Sequence, residues 1–236
     1  MSEKTFRKLA GIFFIVGAIL VNIPYTLLII NFDYPDILRL PAAEILTRFQ
    51  AGGSALIYTW LAFAWVGLPM LLGAIMLKRI LADENAPFLE TATTLGVIGF
   101  IVQVVGLLRW VFVVPVLARL FTDPTTDSVT KATLPLVFSA VHQYGGVILG
   151  EHLGQFLIIL WMSMLSGILY KSKRFSKWVA YLGWIASAVY ILAQTELLAT
   201  AIPSFPVIGW AGLYGSLLWL VWMIVVGVYL VKNSEQ

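Results

Sequence analysis

The chain has 236 residues, no cysteine and a formal net charge of +3. Hydrophobic residues make up 60% of it and charged residues 11%, whereas soluble domains contain about 45–50% apolar residues. A soluble core of this size could not bury so much apolar surface, so the composition predicts an integral membrane protein. The lack of cysteine excludes disulfides, thiolate metal sites and iron–sulfur clusters. Basic residues bunched at segment ends give no case for nucleic-acid binding.

The hydropathy pattern predicts six membrane-spanning helices, because each needs about 20 mostly apolar residues. They are expected at residues 8–30, 54–78, 91–118, 150–170, 177–202 and 207–231. The first apolar run continues to Ile30 without a convincing cleavage site, so it is interpreted as an uncleaved span and not as a signal peptide. The whole chain, 1–236, is therefore expected to form a single all-α membrane domain, a bundle of six transmembrane helices.

Residues 40–53, LPAAEILTRFQAGG, predict a short amphipathic outer helix after the first span. Pro41 suits the first turn of this helix, and Gly52 and Gly53 are suited to end it. Two interpretations are open: a connector that rests at the level of the lipid headgroups, or a lid over a cavity that opens outward.

The fourth apolar segment is too long for a single crossing. Residues 128–149 are expected to form an outer helical extension that begins at Asp127 or Ser128. This extension either projects beyond the bilayer or forms a separate outer helix that ends near Gly145 and Gly146. Only residues 150–170 then need to lie in the membrane.

The distribution of Lys and Arg orients the spans, because positive residues are retained on the cytoplasmic face. With the N-terminus inside, the inner side would hold ten of them and the outer side four, so both termini are predicted to be cytoplasmic. The outer four are Arg39, Arg48, Arg119 and Lys131. The inner cluster from Lys171 to Lys177 is interpreted as a topology anchor that could also contact anionic headgroups.

Four charged or titratable residues interrupt the predicted spans: Arg109, Glu151, His152 and Glu196. A full charge at the bilayer centre costs at least about 2.5–3.5 kcal/mol, so it should be paired or face water. At about 1.5 Å per residue, Arg109, both glutamates, Gln155 and Gln194 all fall roughly 24–30 Å from the inner ends of their spans. This common layer predicts a polar pocket that opens outward.

The charges in this layer sum to −1 if His152 is neutral, since one Arg faces two Glu. A protonated Glu, a charged His152 or a bound cation would restore the balance. Glu151 also adjoins a stripe of glycines at 146, 150 and 154, which allows a neighbouring backbone to approach closely. Two interpretations are open: a structural pairing of Arg and Glu, or a site that handles a ligand or a proton.

Two further residues are candidates for the site. His142 precedes Glu151 by nine residues and so is expected on nearly the opposite helical face, about 13 Å away in a continuous α-helix. A break at Gly145 and Gly146 would bring it closer. Trp110 adjoins Arg109 and is expected either to pack or to line the pocket.

The residues point to no cofactor and to no assigned catalytic group. A haem or metal held by His142 and His152 is disfavoured, because H-x8-E-H is not a ligand spacing and two histidines are too few. No G-x-S-x-G motif is present. Acid–base chemistry by Glu151, His152 or Glu196 stays open.

Two segments, LLRWVFVVPVLA at 107–118 and HQYGGVILGEHLGQ at 142–155, carry a family resemblance. With the spacing of the spans, they make the chain similar to the bacterial membrane family known as domain of unknown function 4386. The family pattern matches here at Leu108 to Phe112 and His142 to Gly154. The resemblance covers nearly the whole chain and implies a bacterial inner-membrane protein, but it implies no activity, cofactor or catalytic residue.

The leading hypothesis is a non-enzymatic multi-pass membrane protein that binds or transports a small amphipathic or anionic ligand. Arg109 would contact its anionic group, and Glu151, Glu196 and His152 could carry a proton. One alternative is an intramembrane enzyme that acts on a lipid-like or isoprenoid substrate. Another is an accessory subunit whose buried charges are structural. The expected partners are membrane lipid and the ligand, with no oligomeric state predicted.

Overall fold

A computed structural model describes residues 2–84 and 86–232, and every regular element in these residues is a helix. Six helical segments are long and apolar enough to cross a membrane, which confirms the predicted number of spans. They are Glu3–Phe32, Ala42–Ile80, Leu89–Thr122, Ser128–Lys171, Lys177–Ala199 and Ala211–Lys232. The cytoplasmic location of the termini stays a prediction.

Local interruptions divide these segments into shorter helices. They are α1 (Glu3–Leu20), α2 (Asn22–Phe32), α3 (Ala42–Trp65), α4 (Leu68–Ile80), α5 (Leu89–Phe112), α6 (Val114–Thr122), α7 (Ser128–Val141), a π-helix (His142–Leu153), α8 (Gly154–Lys171), α9 (Lys177–Ile191), α10 (Gln194–Ala199) and α11 (Ala211–Lys232). Short 3₁₀ turns lie at Asp36–Arg39 and Ala82–Glu84. Pro69 and Pro115 stand in the first turns of α4 and α6, where a residue without an N–H costs no helical hydrogen bond.

The amphipathic helix predicted after the first span forms the first half of α3. The helix begins directly after Pro41, and its helical backbone is interrupted at Gly53, which has a positive φ of 56°. Ile45, Leu46 and Phe49 on its apolar face are buried. This face therefore packs against protein, and the second span follows after the interruption.

The fourth segment is helical throughout, so of the two expected arrangements the separate outer helix that ends near Gly145 and Gly146 is wrong, and the projection of its first part beyond the bilayer stays a prediction. Asp127 caps α7 as expected, since its side chain accepts hydrogen bonds from the backbone N–H groups of Val129 and Thr130. The segment then stays helical as far as Lys171 and passes through the two glycines without a break. The change at His142 is from α-helix to π-helix, and helix-breaking residues such as glycine do not predict such a change.

Two compact units make up the fold, each built from separate stretches of chain. Unit 1 comprises the described residues of Met1–Ile19, Gly67–Ile101 and His152–Gln236, and unit 2 comprises Leu20–Val66 and Val102–Glu151. The core of unit 1 centres on Phe14, Trp161 and Trp222.

Unit 2 has a core of its own, in which aromatic side chains pack among aliphatic ones. Trp60, Trp110, Phe49 and Phe32 are buried in it. Five segments supply this core: α2, the 3₁₀ turn at Asp36–Arg39, α3, the region from α5 to α6, and α7.

Candidate functional site

The candidate site in unit 2 is built around Arg109, which stands in the last turn of α5. Its side chain is buried, with 8% of its surface exposed. One terminal nitrogen donates a hydrogen bond to the carbonyl oxygen of Gly106, and the other lies 3.5 Å from Nδ1 of His142. The remaining nitrogen, Nε, is buried and has no hydrogen-bond partner among the described residues. The guanidinium therefore has unused capacity to donate.

Glycines create the space in which the guanidinium lies. A Cβ atom placed on Gly146 would stand only 2.5 Å from a terminal nitrogen of Arg109 and 2.7 Å from Cζ. A Cβ on Gly106 would stand 2.5 Å from the Cα of Gly150. The glycine stripe predicted from the sequence thus allows α5 and the π-helix to approach closely, and it also makes room for Arg109.

The π-helix corrects the expected position of His142. A 3₁₀-helix, with i→i+3 hydrogen bonds, has 3.0 residues per turn, and an α-helix, with i→i+4 bonds, has 3.6. A π-helix, with i→i+5 bonds, therefore has about four to five residues per turn. The nine residues from His142 to Glu151 then make about two full turns instead of two and a half. Both residues therefore face Arg109, which contacts His142 and attracts Glu151 electrostatically.

Glu151 is the counter-charge of Arg109, but it does not form a close ion pair with it. The half-buried carboxylate is attracted by both Arg109 and Arg39. A salt bridge requires an oxygen and a nitrogen no more than 4.0 Å apart, and no such contact joins Glu151 to Arg109 among the described residues. A tight structural pairing of these two residues is therefore not what holds Arg109 in place.

Two stacked tryptophans lie beside the guanidinium. The Cζ atom of Arg109 is 5.3 Å from the ring centroid of Trp110, within the range of a cation–π interaction. Trp110 stacks on Trp60 with ring centroids 4.8 Å apart and an angle of 8° between the planes, and Phe49 stacks on Trp110 at 5.7 Å. The indole N–H groups of both tryptophans are buried and have no acceptor among the described residues.

Unit 1 holds the other predicted site residues. Nδ1 of His152 lies 2.7 Å from the side-chain oxygen of Gln194, and the nitrogen of Gln194 donates to Gln155 at 3.2 Å. Because an amide oxygen only accepts, Nδ1 of His152 carries the hydrogen and Nε2 is left to accept a proton. Glu196 follows two residues after Gln194 in α10 and is half-buried.

Tautomer assignment distinguishes the two histidines. Nδ1 of His142 faces a guanidinium that can only donate, so this nitrogen accepts and a neutral His142 carries its hydrogen on Nε2. His152 has the opposite arrangement. Within the described residues, no group of three His, Asp or Glu side chains is placed to hold a metal ion.

Sequence reasoning missed Gly106, which accepts a hydrogen bond from Arg109, and Trp60 and Phe49, which stack on Trp110. Trp60 lies in an apolar span that also contains Trp65, so composition could not single it out. Phe49 falls in the predicted outer helix, where an apolar residue is ordinary. The one available signal for Gly106 was its position three residues before Arg109, within hydrogen-bonding reach of its side chain.

Comparison with known proteins agrees with the family resemblance. The family model described as "Domain of unknown function (DUF4386)" matches residues 9–227. No curated protein and no solved structure matches the chain.

Proposed function

The chain belongs to the family described as domain of unknown function DUF4386, and since that description supplies no activity, we propose from the residues that unit 2 binds a small amphipathic ligand with an anionic head. The proposal assigns the head to Arg109 and the apolar part to the aromatic cluster of Trp60, Trp110 and Phe49. We also propose that the protein transports this ligand through an outward-facing opening. It would do so in a bacterial inner membrane, with both termini in the cytoplasm.

One observation carries it: three side chains that contact one another in series each hold a buried donor with no acceptor among the described residues. The donors are Nε of Arg109 and the indole nitrogens of Trp60 and Trp110. Leaving a buried donor unsatisfied costs about 1–3 kcal/mol, and more when the group is charged. A ligand that brings acceptor oxygens would satisfy donors that the described part of the protein leaves unused.

The chemistry of the donors indicates the class of ligand. A guanidinium presents its donors in a planar fork that matches a carboxylate or phosphate, and such charge-assisted bonds are about twice as strong as neutral ones. The aromatic rings next to it offer apolar surface without further charge. An aliphatic or aromatic acid fits this combination better than a neutral lipid or an amine.

Access to the cluster is assigned to the first half of α3. Phe49 of this segment covers Trp110, and the segment is connected to the rest of α3 through Gly53. A Cβ atom at Gly53 would meet nothing within 4 Å, so there is open space on this side of the residue. In the proposed mechanism the segment swings about Gly53 and admits the ligand head to Arg109.

Proton coupling is assigned to Glu151. It is attracted by the positive charge of Arg109, and an anionic ligand bound to Arg109 would compete for that charge. The carboxylate then becomes easier to protonate, which would link ligand binding to proton uptake. His152, which hydrogen-bonds Gln194 in unit 1, is assigned as a second proton carrier.

The experiment compares decanoate, decanol and decylamine as probes for the full-length protein in detergent. These molecules share a chain length and differ in head charge. Calorimetric titration should show the tightest binding for decanoate. Arg109→Gln should weaken decanoate binding at least about tenfold, which corresponds to the 1.4 kcal/mol expected for one lost charge-assisted bond.

Arg119→Gln is the matched control, because Arg119 lies in the same span but is exposed, so its affinity for decanoate should stay unchanged. If Arg109→Gln does not fold, Trp110→Phe keeps an aromatic ring, removes an unsatisfied N–H and should weaken decanoate binding severalfold. Equal binding of decanol and decanoate, or unchanged affinity in folded Arg109→Gln, would contradict the proposal.

A double-mutant cycle tests the competing structural pairing. Arg109→Gln and Glu151→Gln are combined, and thermal unfolding is measured for all four proteins without ligand. A modest coupling energy of about 0.5–1 kcal/mol is expected, because the two residues attract each other across a gap without a close ion pair; independent residues would give less than about 0.5 kcal/mol. A coupling of several kcal/mol would favour a purely structural role.

A further inference from the structure

A second candidate site lies in unit 1, at the end where basic residues flank the helices. A cavity of about 430 Å³ opens there, within the size range of small-molecule sites. Three cations line it, Arg7, Lys173 and Arg174, together with the hydroxyls of Ser176 and Tyr229 and apolar side chains such as Phe175. Among the described residues, those that line it include no Asp or Glu. We propose that this cavity binds a phosphate group.

The cations differ in how far the protein already satisfies them. Arg174 is occupied, since its guanidinium contacts both Asp83 and Glu84. Arg7 pairs with Glu3 through one terminal nitrogen, but its Nε is buried without a partner among the described residues. Lys173 is exposed and forms no ion pair with any described residue. Lys173 therefore has donors to offer to a phosphate, whereas Arg7 and Arg174 contribute positive charge from side chains that already pair with carboxylates.

The start of α9 adds two features that favour an anion. Ser176 occupies the N-cap position, yet its side chain makes no capping hydrogen bond. The first N–H groups of this 15-residue helix therefore receive no side-chain acceptor at the N-cap, and a helix N-terminus carries a partial positive charge. A phosphate beside Ser176 would meet the hydroxyl, these N–H groups and the cations together.

Aromatic residues beside the cavity indicate its level in the membrane. Trp178 donates an indole hydrogen bond to the hydroxyl of Tyr229 at 3.1 Å, and Phe175 stacks on Tyr229. Trp and Tyr concentrate at the headgroup level of membranes. The phosphate could therefore come from a lipid headgroup or from solution, and the two sources share the same recognition chemistry. This proposal does not depend on the function assigned to unit 2.

The test uses the full-length protein in detergent with three probes: dihexanoyl phosphatidic acid, dihexanoylglycerol and inorganic phosphate. Phosphatidic acid should bind and raise the unfolding temperature, whereas the glycerol lipid, which lacks the phosphate, should not. Competition by inorganic phosphate would support the site and show that free phosphate suffices. Binding of phosphatidic acid without such competition would support it with a lipid as the source.

Lys173→Gln is the main variant, because an exposed and unpaired lysine can be replaced without loss of a protein contact. It should weaken phosphatidic acid binding about tenfold, the effect of one lost charge-assisted bond. Arg7→Gln should act in the same direction. Lys131→Gln, which changes a half-buried lysine of unit 2, is the control and should leave the affinity unchanged. No binding of phosphatidic acid, or equal affinity in wild type and Lys173→Gln, would overturn the proposal.

Discussion

Replacing Gly146 by alanine tests how the guanidinium of Arg109 is placed. The new Cβ would lie 2.5 Å from a terminal nitrogen of Arg109, whereas ordinary contacts begin at 3.4 Å. The guanidinium must therefore move by roughly 3.4 − 2.5 = 0.9 Å, away from a position fixed by its hydrogen bond to Gly106. Overpacking of this kind costs about 1–3 kcal/mol, so thermal unfolding should occur about 2–12 °C lower for a chain of this length.

Gly145→Ala is the matched control for this substitution. It changes the neighbouring residue of the same π-helix, and its Cβ would meet the Cδ of Arg109 at an ordinary 3.5 Å. Any change in helix propensity is shared by the two variants, so their difference isolates the contact with the guanidinium. Decanoate binding should also weaken in Gly146→Ala and not in Gly145→Ala. Equal unfolding temperatures for the two variants would refute the placement of Arg109 over Gly146.

Three further substitutions test other parts of the structure by thermal unfolding in detergent. Trp222 donates a hydrogen bond to a backbone carbonyl, whereas Trp110 donates none to the described residues. Trp222→Phe should therefore be about 0.5–1.5 kcal/mol more destabilising than Trp110→Phe. Equal losses of stability would contradict the hydrogen bond of Trp222. Gln194→Leu removes two partly buried side-chain hydrogen bonds and should cost about 1–3 kcal/mol, while a neutral result would show that these two bonds add nothing to stability. A hydrogen bond from Arg174 holds the pKa of Asp83 below its usual range. The stabilisation that this bond gives is fully present above the ordinary pKa of about 3.9. It is lost as the pH falls through the lowered pKa of the folded state. Below about pH 4, wild type should therefore lose more stability than Asp83→Asn, and parallel acid profiles would contradict the contact.

Much of the fold could be predicted because the signals are local. Apolar runs of sufficient length predicted six helices that could cross a membrane, and the structure contains six. Asp127 was predicted to begin a helix because its carboxylate can accept from backbone N–H groups a few residues ahead, as it does. Pro41 and Gly53 likewise mark the start and the interruption of a helix through their own backbone preferences.

The candidate site was predictable only in part. Arg109 was singled out because a charge in an apolar span is costly, and Trp110 because it is the next residue. Trp60 and Phe49 carry no such mark, since an aromatic residue in an apolar segment is ordinary. Their contact with Trp110 depends on how α3 packs against α5 and α6.

His142 shows most directly where sequence and tertiary structure divide. The sequence by itself determined the membrane class, the helical segments and the buried charges, because these follow from the composition of short stretches. It did not determine the winding of the helix after His142, because α- and π-helix differ only in which backbone groups pair. The tertiary structure decided that question: close packing at Gly106 and Gly150 accompanies the π-helix, and the π-helix turns His142 and Glu151 toward the same arginine.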